Sequence, residues 1–418
     1  MARFYAPWSS QVWFFFALAG AIALPHVSLA QAQEPAEGHL QLPLDGRDGR
    51  QLLLENFRPK PMLKVAETRL ERAKFPVIDV HTHFGIRLRH SPEQRDAFVK
   101  VMDRNNIALC VSLDGGLGDK LEEHLKYLAP HADRFAVFAN IDWQGDGKAD
   151  DPATWDMHRP DFPRRTAMQL KEAKERGSVG LKIFKNFGLE LKNPDGSLVR
   201  IDDERWDPIW QACGELGFPV LIHTADPAAF FEPIDETNER WEELHRRPEW
   251  SFYGPQFPKR EELVAALMRV VERHPQTKFI AAHVANYAED LGQASAWLDR
   301  YPNLYFEFAS RIAELGRQPY TARKFLTKYA DRILFGTDGP WPEERLRYYW
   351  RFLETEDENF RYSEKEFPPQ GLWNIFGVKL DDETLRKIYH ENAIRLMPAL
   401  GEKLRRQRVG KNLVEPSK

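Results

Sequence analysis

Cysteine is scarce in this chain of 418 residues, which contains only two. Neither Cys110 nor Cys213 belongs to a Cys-x-x-Cys pattern, which excludes a dithiol redox centre and makes a thiolate metal site an unattractive interpretation. Nothing in the sequence brings the two together as a disulfide, and a chain of this length needs none to hold its core. Both lie in apolar stretches, so we expect two buried thiols that fill the core.

A large excess of charge is also absent, because the formal net charge is only -4. The one concentration of basic residues is a short C-terminal tail at 401–418, which is typical of a solvated helix end rather than of a nucleic-acid arm. The composition, 42% hydrophobic and 29% charged, is that of a globular protein. Intrinsic disorder is therefore excluded as the main state, and no nucleic-acid partner is expected.

Long apolar runs are confined to the N-terminus, where Arg3 precedes the run 12–24 and a series of small residues. This order is typical of a secretory signal peptide cleaved near Ala30 or Ala32. The run is shorter than the roughly 20 residues of a spanning helix, although an uncleaved anchor stays open because only one basic residue precedes it. We predict a signal peptide at 1–32 and an exported, periplasmic or extracellular protein without stable membrane insertion.

After a lead-in at 33–74, which includes a predicted helix from Met62 to Ala73, short apolar runs alternate with amphipathic stretches. Such alternation predicts βα units and a parallel sheet. The apolar runs are 76–83, 107–113, 135–141, 179–184, 219–223, 278–283, 304–308 and 333–336. An open doubly wound sheet would more naturally show a glycine-rich turn after its first strand, and none is found there. We therefore predict an α/β fold, a (β/α)8 TIM barrel at 75–400.

One connection, at 224–258 after the fifth strand, is too long for an ordinary βα loop. Its aromatic residues are Phe230, Phe231, Trp241, Trp250, Phe252, Tyr253 and Phe257. Because loops after barrel strands lie on the active face, this aromatic-rich insertion is predicted to form a substrate lid. The alternative is that it packs on neighbouring helices or on a second subunit in a homodimer.

Histidines stand at the ends of several predicted strands. In extended backbone, side chains two residues apart share a face, so His81 and His83 can bind one metal ion. His223 and His283 end later strands, and Asp338 directly follows the last one. Because barrel strands deliver their last side chains to the active face, the set predicts a metal site there.

Five motifs of the chain read Ile-Asp-Val-His-Thr-His-Phe-Gly, Pro-Val-Leu-Ile-His-Thr, Ala-Ala-His-Val-Ala, Ile-Leu-Phe-Gly-Thr-Asp-Gly-Pro and Ile-Tyr-His-Glu-Asn-Ala-Ile-Arg-Leu. Over Pro76 to Met397 the sequence resembles the amidohydrolase superfamily, most closely the amidohydrolase-related (amidohydrolase 2) branch that includes aminocarboxymuconate semialdehyde decarboxylase and resorcylate decarboxylase. The resemblance implies a barrel with one divalent metal ion, and His283 beside it as an acid, base or polarising group. The implied ligands are His81, His83, His223 and Asp338.

Imidazole and carboxylate ligands suit both Zn²⁺ and Mn²⁺, of which Zn²⁺ is expected. Such an ion activates water near neutral pH. Asp338 is then predicted to accept a proton and His283 to stabilise charge on the attacked oxygen, although Asp338 could simply form a turn. The predicted function is metal-dependent hydrolysis of a C–N or C–O bond in a small molecule. The alternatives are a non-oxidative decarboxylase and a catalytically silent binding barrel.

Substrate binding is predicted for Lys182, Arg311 and Trp143. Lys182 has three interpretations: a carboxylated bridge between two metal ions, a contact to an anionic substrate group that Lys185 could also make, or an outward-facing side chain. Arg311 could bind a carboxylate or form a surface ion pair.

Three further acidic residues lie on or directly after predicted strands. Asp114 and Asp142 each follow one and are predicted to line the pocket. Asp79 lies deeper along the first strand and is predicted to be a structural, hydrogen-bonded carboxylate.

Overall fold

The computed structural model describes residues 60–365 and 370–410, the side chains of 408–410 excepted. The predicted signal peptide at 1–32 and the first part of the lead-in lie outside the described residues. Every element given below belongs to one compact unit, Lys64–Lys418. Among the helices of the described part, none has both the length and the apolar character that crossing a bilayer requires.

Eight parallel strands form one sheet in which each strand pairs with the next along the chain. They are β1 (Val77–Thr82), β2 (Ile107–Ser112), β3 (Phe135–Asn140), β4 (Gly180–Ile183), β5 (Val220–Ile222), β6 (Phe279–Ala281), β7 (Leu304–Glu307) and β8 (Ile333–Leu334). The sheet closes because Val80 of β1 donates its N–H to the carbonyl of Phe335, just after β8, at 3.0 Å. The strands coincide with the apolar runs, and the predicted (β/α)8 barrel is confirmed.

A longer helix follows each strand. These helices are Pro92–Asn105, Asp119–Leu128, Phe162–Glu175, Asp207–Leu216, Arg260–Arg273, Leu291–Arg300, Pro319–Lys328 and Glu343–Glu354. The first shows why they form: the Ser91 hydroxyl caps it by accepting the N–H of Gln94, proline is its first residue, and Asn106 ends it in a left-handed conformation. Phe98 and Met102 lie on its buried face, which packs against the sheet.

The remaining helical segments are shorter or follow the barrel. Short ones lie at Phe84–Leu88, Trp241–Arg246 and Ile312–Leu315, and the C-terminal ones are Asp382–Arg386, the π-helical Lys387–Glu391, Asn392–Leu396 and Pro398–Gly410. Both cysteines are buried and free, as predicted for core residues.

Alternation along β4 determines which side chains face the barrel interior. Leu181 and Ile183 belong to the core cluster between the sheet and the helices. Lys182 lies between them and pairs across the sheet with Leu221, which belongs to the inner cluster. Because successive strand residues face opposite sides, Lys182 points into the barrel, and the outward-facing interpretation is wrong.

The C-terminal helix Pro398–Gly410 closes the end of the barrel at which the strands begin. Its Leu400 and Leu404 side chains are buried in the inner cluster. Gln407 donates to the carbonyl of Ala108, near the start of β2, at 3.1 Å. The predicted barrel ends at residue 400, but this helix continues past that boundary. The buried Leu400 and Leu404 show that its apolar face belongs to the barrel core.

The predicted helix from Met62 to Ala73 is wrong, because this segment has no helical structure. Its residues are mostly exposed, so it has no buried apolar face to stabilise a helix. Instead, both the N–H and the hydroxyl of Thr68 donate to the Asp357 carboxylate, at 2.6 and 2.7 Å. This contact attaches the segment to the connection that follows the last barrel helix.

Candidate metal centre

Two imidazoles at the end of β1 face each other with their Nε2 atoms 3.2 Å apart. On the opposite side of each ring, Nδ1 of His81 lies 2.8 Å from Glu307 and Nδ1 of His83 lies 2.6 Å from Asp114. A carboxylate accepts hydrogen bonds, so each Nδ1 carries a proton, and in the neutral ring each Nε2 presents a lone pair. Two lone pairs at this separation repel unless a cation lies between them. Carboxylates behind ligating histidines are the usual supports of a metal site.

Asp338 completes this group from the turn after β8. Its Oδ1 atom lies 3.5 Å from Nε2 of His83 and 3.9 Å from Nε2 of His81. Arg87 donates to the same oxygen at 3.0 Å. Burial acts to raise the pKa of the carboxyl, but neighbouring groups, among them the Arg87 guanidinium that donates to it, outweigh burial, so the pKa lies below its usual value and the group is ionised.

The ring of His283 lies between those of His81 and His223 in a chain of close ring contacts. The ring of His283 is 4.9 Å from that of His81 and 4.5 Å from that of His223. The structure therefore brings all five predicted residues together. Among the described residues, however, the groups of three whose ligand atoms all lie within 4.8 Å of one another are His81–His83–Asp338 and His81–His283–Glu307. His223 belongs to neither group.

Glu307, at the end of β7, is a site residue that the sequence interpretation missed. Its Oε1 atom accepts from Nδ1 of His81 and from the N–H of His283, each at 2.8 Å, and Oε2 accepts from the N–H of Ala309 at 2.5 Å. Both oxygens are thereby engaged, so Glu307 orients His81 and anchors the backbone at His283 rather than serving as a ligand. The sequence feature that could have identified Glu307 is an acidic residue inside the apolar run 304–308.

Space for this carboxylate depends on Gly336, directly after β8. A Cβ atom at this position would lie 2.5 Å from Oε2 of Glu307 and 3.1 Å from Cβ of His81. Because Cβ atoms are essentially never found that close to another atom, a larger residue would displace Glu307 and its hydrogen bonds. The glycine of the Gly-Thr-Asp-Gly-Pro motif therefore serves the site through close packing.

A left-handed backbone turn carries His283. Four consecutive residues, 283–286, have φ values of 58°, 57°, 54° and 55°. For residues with a Cβ atom this conformation costs on the order of 1 kcal/mol each. Asn286, at the end of the turn, holds it in place: its amide donates to the carbonyls of Thr224 and Ala225 at 2.9 and 3.0 Å. Strain held by surrounding contacts in this way is typical of functional sites.

Lys182 is 1% exposed, and its Nζ atom has no hydrogen-bond partner in the described part of the chain. Burial lowers the pKa of this ammonium to about 8, against the attraction of Glu307, Asp338 and Asp114. Lys185 differs, because its ammonium pairs with Asp226 at 2.5 Å. Of the two lysines, Lys182 is therefore the one free to meet a ligand.

Arg311 is buried beside the left-handed turn, so the interpretation as a surface ion pair is wrong. It donates to the carbonyl of Ser310 at 2.8 Å and to the side-chain oxygen of Asn286 at 2.5 Å. Its Nε atom is buried without a hydrogen-bond partner among the described residues. Burial lowers the pKa of the guanidinium, and the neighbouring Arg240 adds to this effect.

The remaining residues predicted to line the pocket are Asp114, Asp142 and Trp143, and they lie in different surroundings. Asp114 is part of the site, because it accepts from His83. Asp142 is exposed and pairs with Lys120 at 2.8 Å. Trp143 packs in a buried aromatic group, with its ring 4.8 Å from Phe187, and its role in substrate binding stays a prediction.

Asp79 is buried beneath the site and accepts a hydrogen bond from the hydroxyl of Thr337 at 2.5 Å. Its other oxygen accepts the backbone N–H groups of Thr337 and His81, each at 3.1 Å. Burial raises its pKa to about 7, although the hydrogen bonds act in the opposite direction. These contacts match the predicted structural role: Asp79 joins the end of β1 to the Asp338 turn.

The segment 224–258 packs tightly on the active face. Arg240 is 2% exposed and pairs with Glu314, after β7, and with Glu243 at 3.0 Å. Phe230 and Phe252 are also buried. This arrangement supports the alternative of packing on neighbouring elements, and movement of the segment as a lid stays a prediction.

A cavity of about 440 Å³ is lined in part by Trp341, three residues after Asp338. Trp341 forms part of its wall and is stacked by two guanidinium groups, those of Arg345 at 3.5 Å and Arg87 at 4.1 Å from the ring centre. Further lining residues are Tyr348, Tyr349, Tyr362 and Ser310. Aromatic walls with a few polar groups are typical of pockets that bind organic molecules.

The donor set fits a divalent metal ion. Neutral imidazoles and a carboxylate are the usual ligands of Zn²⁺ and related ions, and burial together with Lys182 lowers the pKa of His81 well below its ordinary value. The neutral rings of His81 and His83, whose Nε2 lone pairs face each other, can both bind one cation.

A family model described as Amidohydrolase matches residues 78–398. Solved structures that this chain matches include 2,6-dihydroxybenzoate decarboxylase from Rhizobium, with 17% identity over 78% of this chain and 99% of that chain and a TM-score of 0.46. A dihydroxybenzoic acid decarboxylase from Polaromonas sp. JS666, solved with manganese and 2-nitroresorcinol, has 17% identity over 78% and 96%, at a TM-score of 0.44. A probable 2-pyrone-4,6-dicarboxylic acid hydrolase from Acinetobacter baumannii has 13% identity over 78% and 99%, at 0.43.

Proposed function

This chain belongs to the amidohydrolase family, and from that premise we propose that it is a metal-dependent hydrolase that cleaves a C–N or C–O bond of a small molecule. The observation that carries the proposal is the pair of Nε2 atoms of His81 and His83, 3.2 Å apart, each ring fixed from behind by a carboxylate. Asp338 lies beside both and is ionised. A metal-binding group and a proton acceptor are therefore adjacent.

The ligands proposed are His81, His83, His223 and Asp338. We favour Zn²⁺ because nitrogen donors outnumber oxygen donors in this set, with Mn²⁺ as the alternative. Bound there, the ion would supply Lewis-acid activation of water or of a substrate oxygen.

The chain's own groups divide the proton chemistry between two sides of the site. Asp338 is held by Arg87 and is placed to accept a proton from the attacking water. His283 donates from Nδ1 to the carbonyl of Ala309 at 2.7 Å, so Nε2 of the neutral ring presents a lone pair. Burial lowers the pKa of His283 well below its ordinary value. This geometry supports a role as ligand or proton acceptor better than the expected role as a hydrogen-bond donor to the attacked oxygen.

The runner-up is a non-oxidative decarboxylase, and one observation favours it. Lys182 and Arg311 each hold a buried cationic atom without a hydrogen-bond partner in the described part of the chain. Burying an unpaired cation costs free energy, which a negative substrate group would recover. A carboxylate-bearing substrate suits this requirement. The catalytically silent barrel has less support, because the ligand set is complete.

A screen of the metal-replete enzyme tests the function. We expect hydrolysis of esters, amides or lactones, with activity lost on chelation and restored by Zn²⁺. Release of carbon dioxide from aromatic or enolic acids, without any hydrolysis, would instead establish the decarboxylase. Absence of both activities in a protein that binds metal would support the silent barrel.

Export is proposed as well, on the strength of Arg3 and the apolar run 12–24. The homodimer stays a prediction. N-terminal sequencing of the mature protein from a secreting host should begin near residue 31 or 33. An intact N-terminus in a membrane fraction would indicate an uncleaved anchor instead.

A further inference from the structure

His223 lacks the kind of support that the other histidines of the metal centre have. Nδ1 of His81 and Nδ1 of His83 lie within 2.8 Å of a carboxylate, which fixes each ring with Nε2 toward the site. His223 has no such hydrogen bond, and its Nε2 atom is buried without a partner among the described residues. A ring free to turn about its χ2 angle would be a poor ligand.

A buried carboxylate, that of Asp226, lies close to this ring. Oδ1 of Asp226 is 3.5 Å from Nε2 of His223, and the Asp226 side chain is only 7% exposed. Its other oxygen, Oδ2, pairs with the ammonium of Lys185 at 2.5 Å. Oδ1 is therefore left to the imidazole, and at 3.5 Å it lies at the upper limit of hydrogen-bonding distance from Nε2.

Lys185 joins this carboxylate to two other parts of the active face. It follows β4, and its ammonium lies 5.2 Å from the centre of the Phe252 ring in the segment 224–258. Phe252 is buried, and its N–H donates to the carbonyl of Phe230 at 2.7 Å. The Asp226 carboxylate is thus held by a cation that is itself held by the packed aromatic segment.

We propose that Asp226, held by Lys185, orients His223 by accepting its Nε2–H, so that His223 binds the metal ion through Nδ1. His223 would then bind through the opposite nitrogen from His81 and His83. Asp226 and Lys185 are positioning residues in this account, since neither touches the ion. The inference rests on the proposed metal centre.

Metal affinity measures the effect directly. Competition between the protein and a chromophoric chelator for Co²⁺ should show that Asp226→Asn weakens binding by about 10- to 100-fold, as expected when the support of a ligating histidine is lost. Lys185→Met should give a smaller loss, and Lys185→Arg should restore most of it because the positive charge beside Asp226 is kept. The d–d spectrum of the bound Co²⁺ should change in Asp226→Asn.

The pair Lys120–Asp142 is a matched control, because it is a second lysine–aspartate ion pair after barrel strands, but an exposed one. Lys120→Met and Asp142→Asn should leave Co²⁺ affinity unchanged. Thermal unfolding of each metal-free variant checks the fold. Wild-type affinity in both Asp226→Asn and Lys185→Met would overturn the proposal, as would an equal loss in the control variants.

His81→Ala separates this proposal from the metal centre itself. If wild-type protein and His81→Ala bind Co²⁺ equally, the metal centre is wrong and this inference falls with it. If His81→Ala abolishes binding and Asp226→Asn does not weaken it, only the positioning role is wrong. As an independent readout, ¹⁵N-histidine NMR of the Zn²⁺-loaded protein should place the proton of His223 on Nε2, whereas a proton on Nδ1 would contradict the proposal.

Discussion

The two ends of the barrel differ in how well their buried polar groups are hydrogen-bonded. At the end where the strands begin, the buried guanidinium of Arg134 donates to the carbonyls of Ala108 and Ile107 and pairs with Asp103, while Leu404 fills the apolar space below. At the end where the strands finish, buried nitrogen atoms lack hydrogen-bond partners within the described residues. These atoms are Lys182 Nζ, His223 Nε2 and Arg311 Nε.

This difference separates stability from function within one fold. Satisfied polar groups and apolar packing lower the free energy of the folded state, whereas unpaired buried nitrogens and the left-handed turn 283–286 raise it. A protein keeps such costs where a ligand removes them. Lys182 and His223 lie close enough to His81 to lower its pKa, so part of this cost falls at the metal centre.

The largest expected effect belongs to the active end. Asp338→Asn removes the proton acceptor and one ligand charge while keeping the size of the side chain. We expect kcat to fall by about 10²- to 10⁴-fold, with the thermal unfolding of the metal-free protein little changed. Steady-state kinetics beside calorimetry checks this. Full activity in the variant would refute the proton-transfer role.

Leu404→Ala addresses the opposite end. Removing a buried side chain from the inner cluster should lower the free energy of unfolding by about 2–5 kcal/mol, which chemical denaturation measures. Metal affinity and KM should not change, because the site lies at the other end of the barrel. A loss of metal affinity in a variant that is still folded would show that the two ends are coupled.

Lys182→Met tests the cost of an unpaired cation through pH. Burial lowers the pKa of Lys182 to about 8, so below that pH the folded protein carries an unfavourable charge. In metal-free protein, the variant should be more stable than wild type by on the order of 3 kcal/mol at pH 7. As pH rises from 8 toward 10.5, the wild type loses this charge in the fold and the difference should shrink.

Denaturation of both proteins across this pH range is the measurement. A constant difference would mean that Lys182 is already paired or neutral. KM for an anionic substrate should rise in the variant, and an unchanged KM would remove Lys182 from substrate binding.

The smallest expected effect is that of Glu307→Gln. The amide of glutamine cannot accept all three N–H groups that Glu307 accepts, so the ring of His81 loses its orientation. We expect metal affinity to fall by about 10- to 100-fold, measured by chelator competition. An unchanged affinity would mean that His81 is oriented without Glu307.

The strand positions and the convergence of the five candidate residues could be predicted because both follow from local pattern. Apolar runs mark strands, and a polar residue at the end of a run lies on the active face. The predictions failed where the outcome depends on contacts between distant residues. The helix from Met62 to Ala73 is absent because no surface buries it, and the direction of Lys182 required knowing its neighbour Leu221 in the sheet.

The carboxylates that contact the histidine rings could not be predicted from local sequence pattern either. Glu307 and Asp226 are distant in sequence from at least one of the groups they contact, and a carboxylate in an apolar run does not reveal which ring nitrogen it will meet. The left-handed turn at 283–286 contains no glycine, so its sequence gave no sign of positive φ values. Tertiary hydrogen bonds from Asn286 hold it.

Metal content per chain tests the central claim most directly. Elemental analysis of purified wild-type protein, after reconstitution and removal of loose ions, should find one divalent ion per chain, and His81→Ala with His83→Ala should find none. No ion in the wild type would contradict the metal centre. Two ions per chain would contradict the single-ion site and favour a carboxylated Lys182 as a bridge.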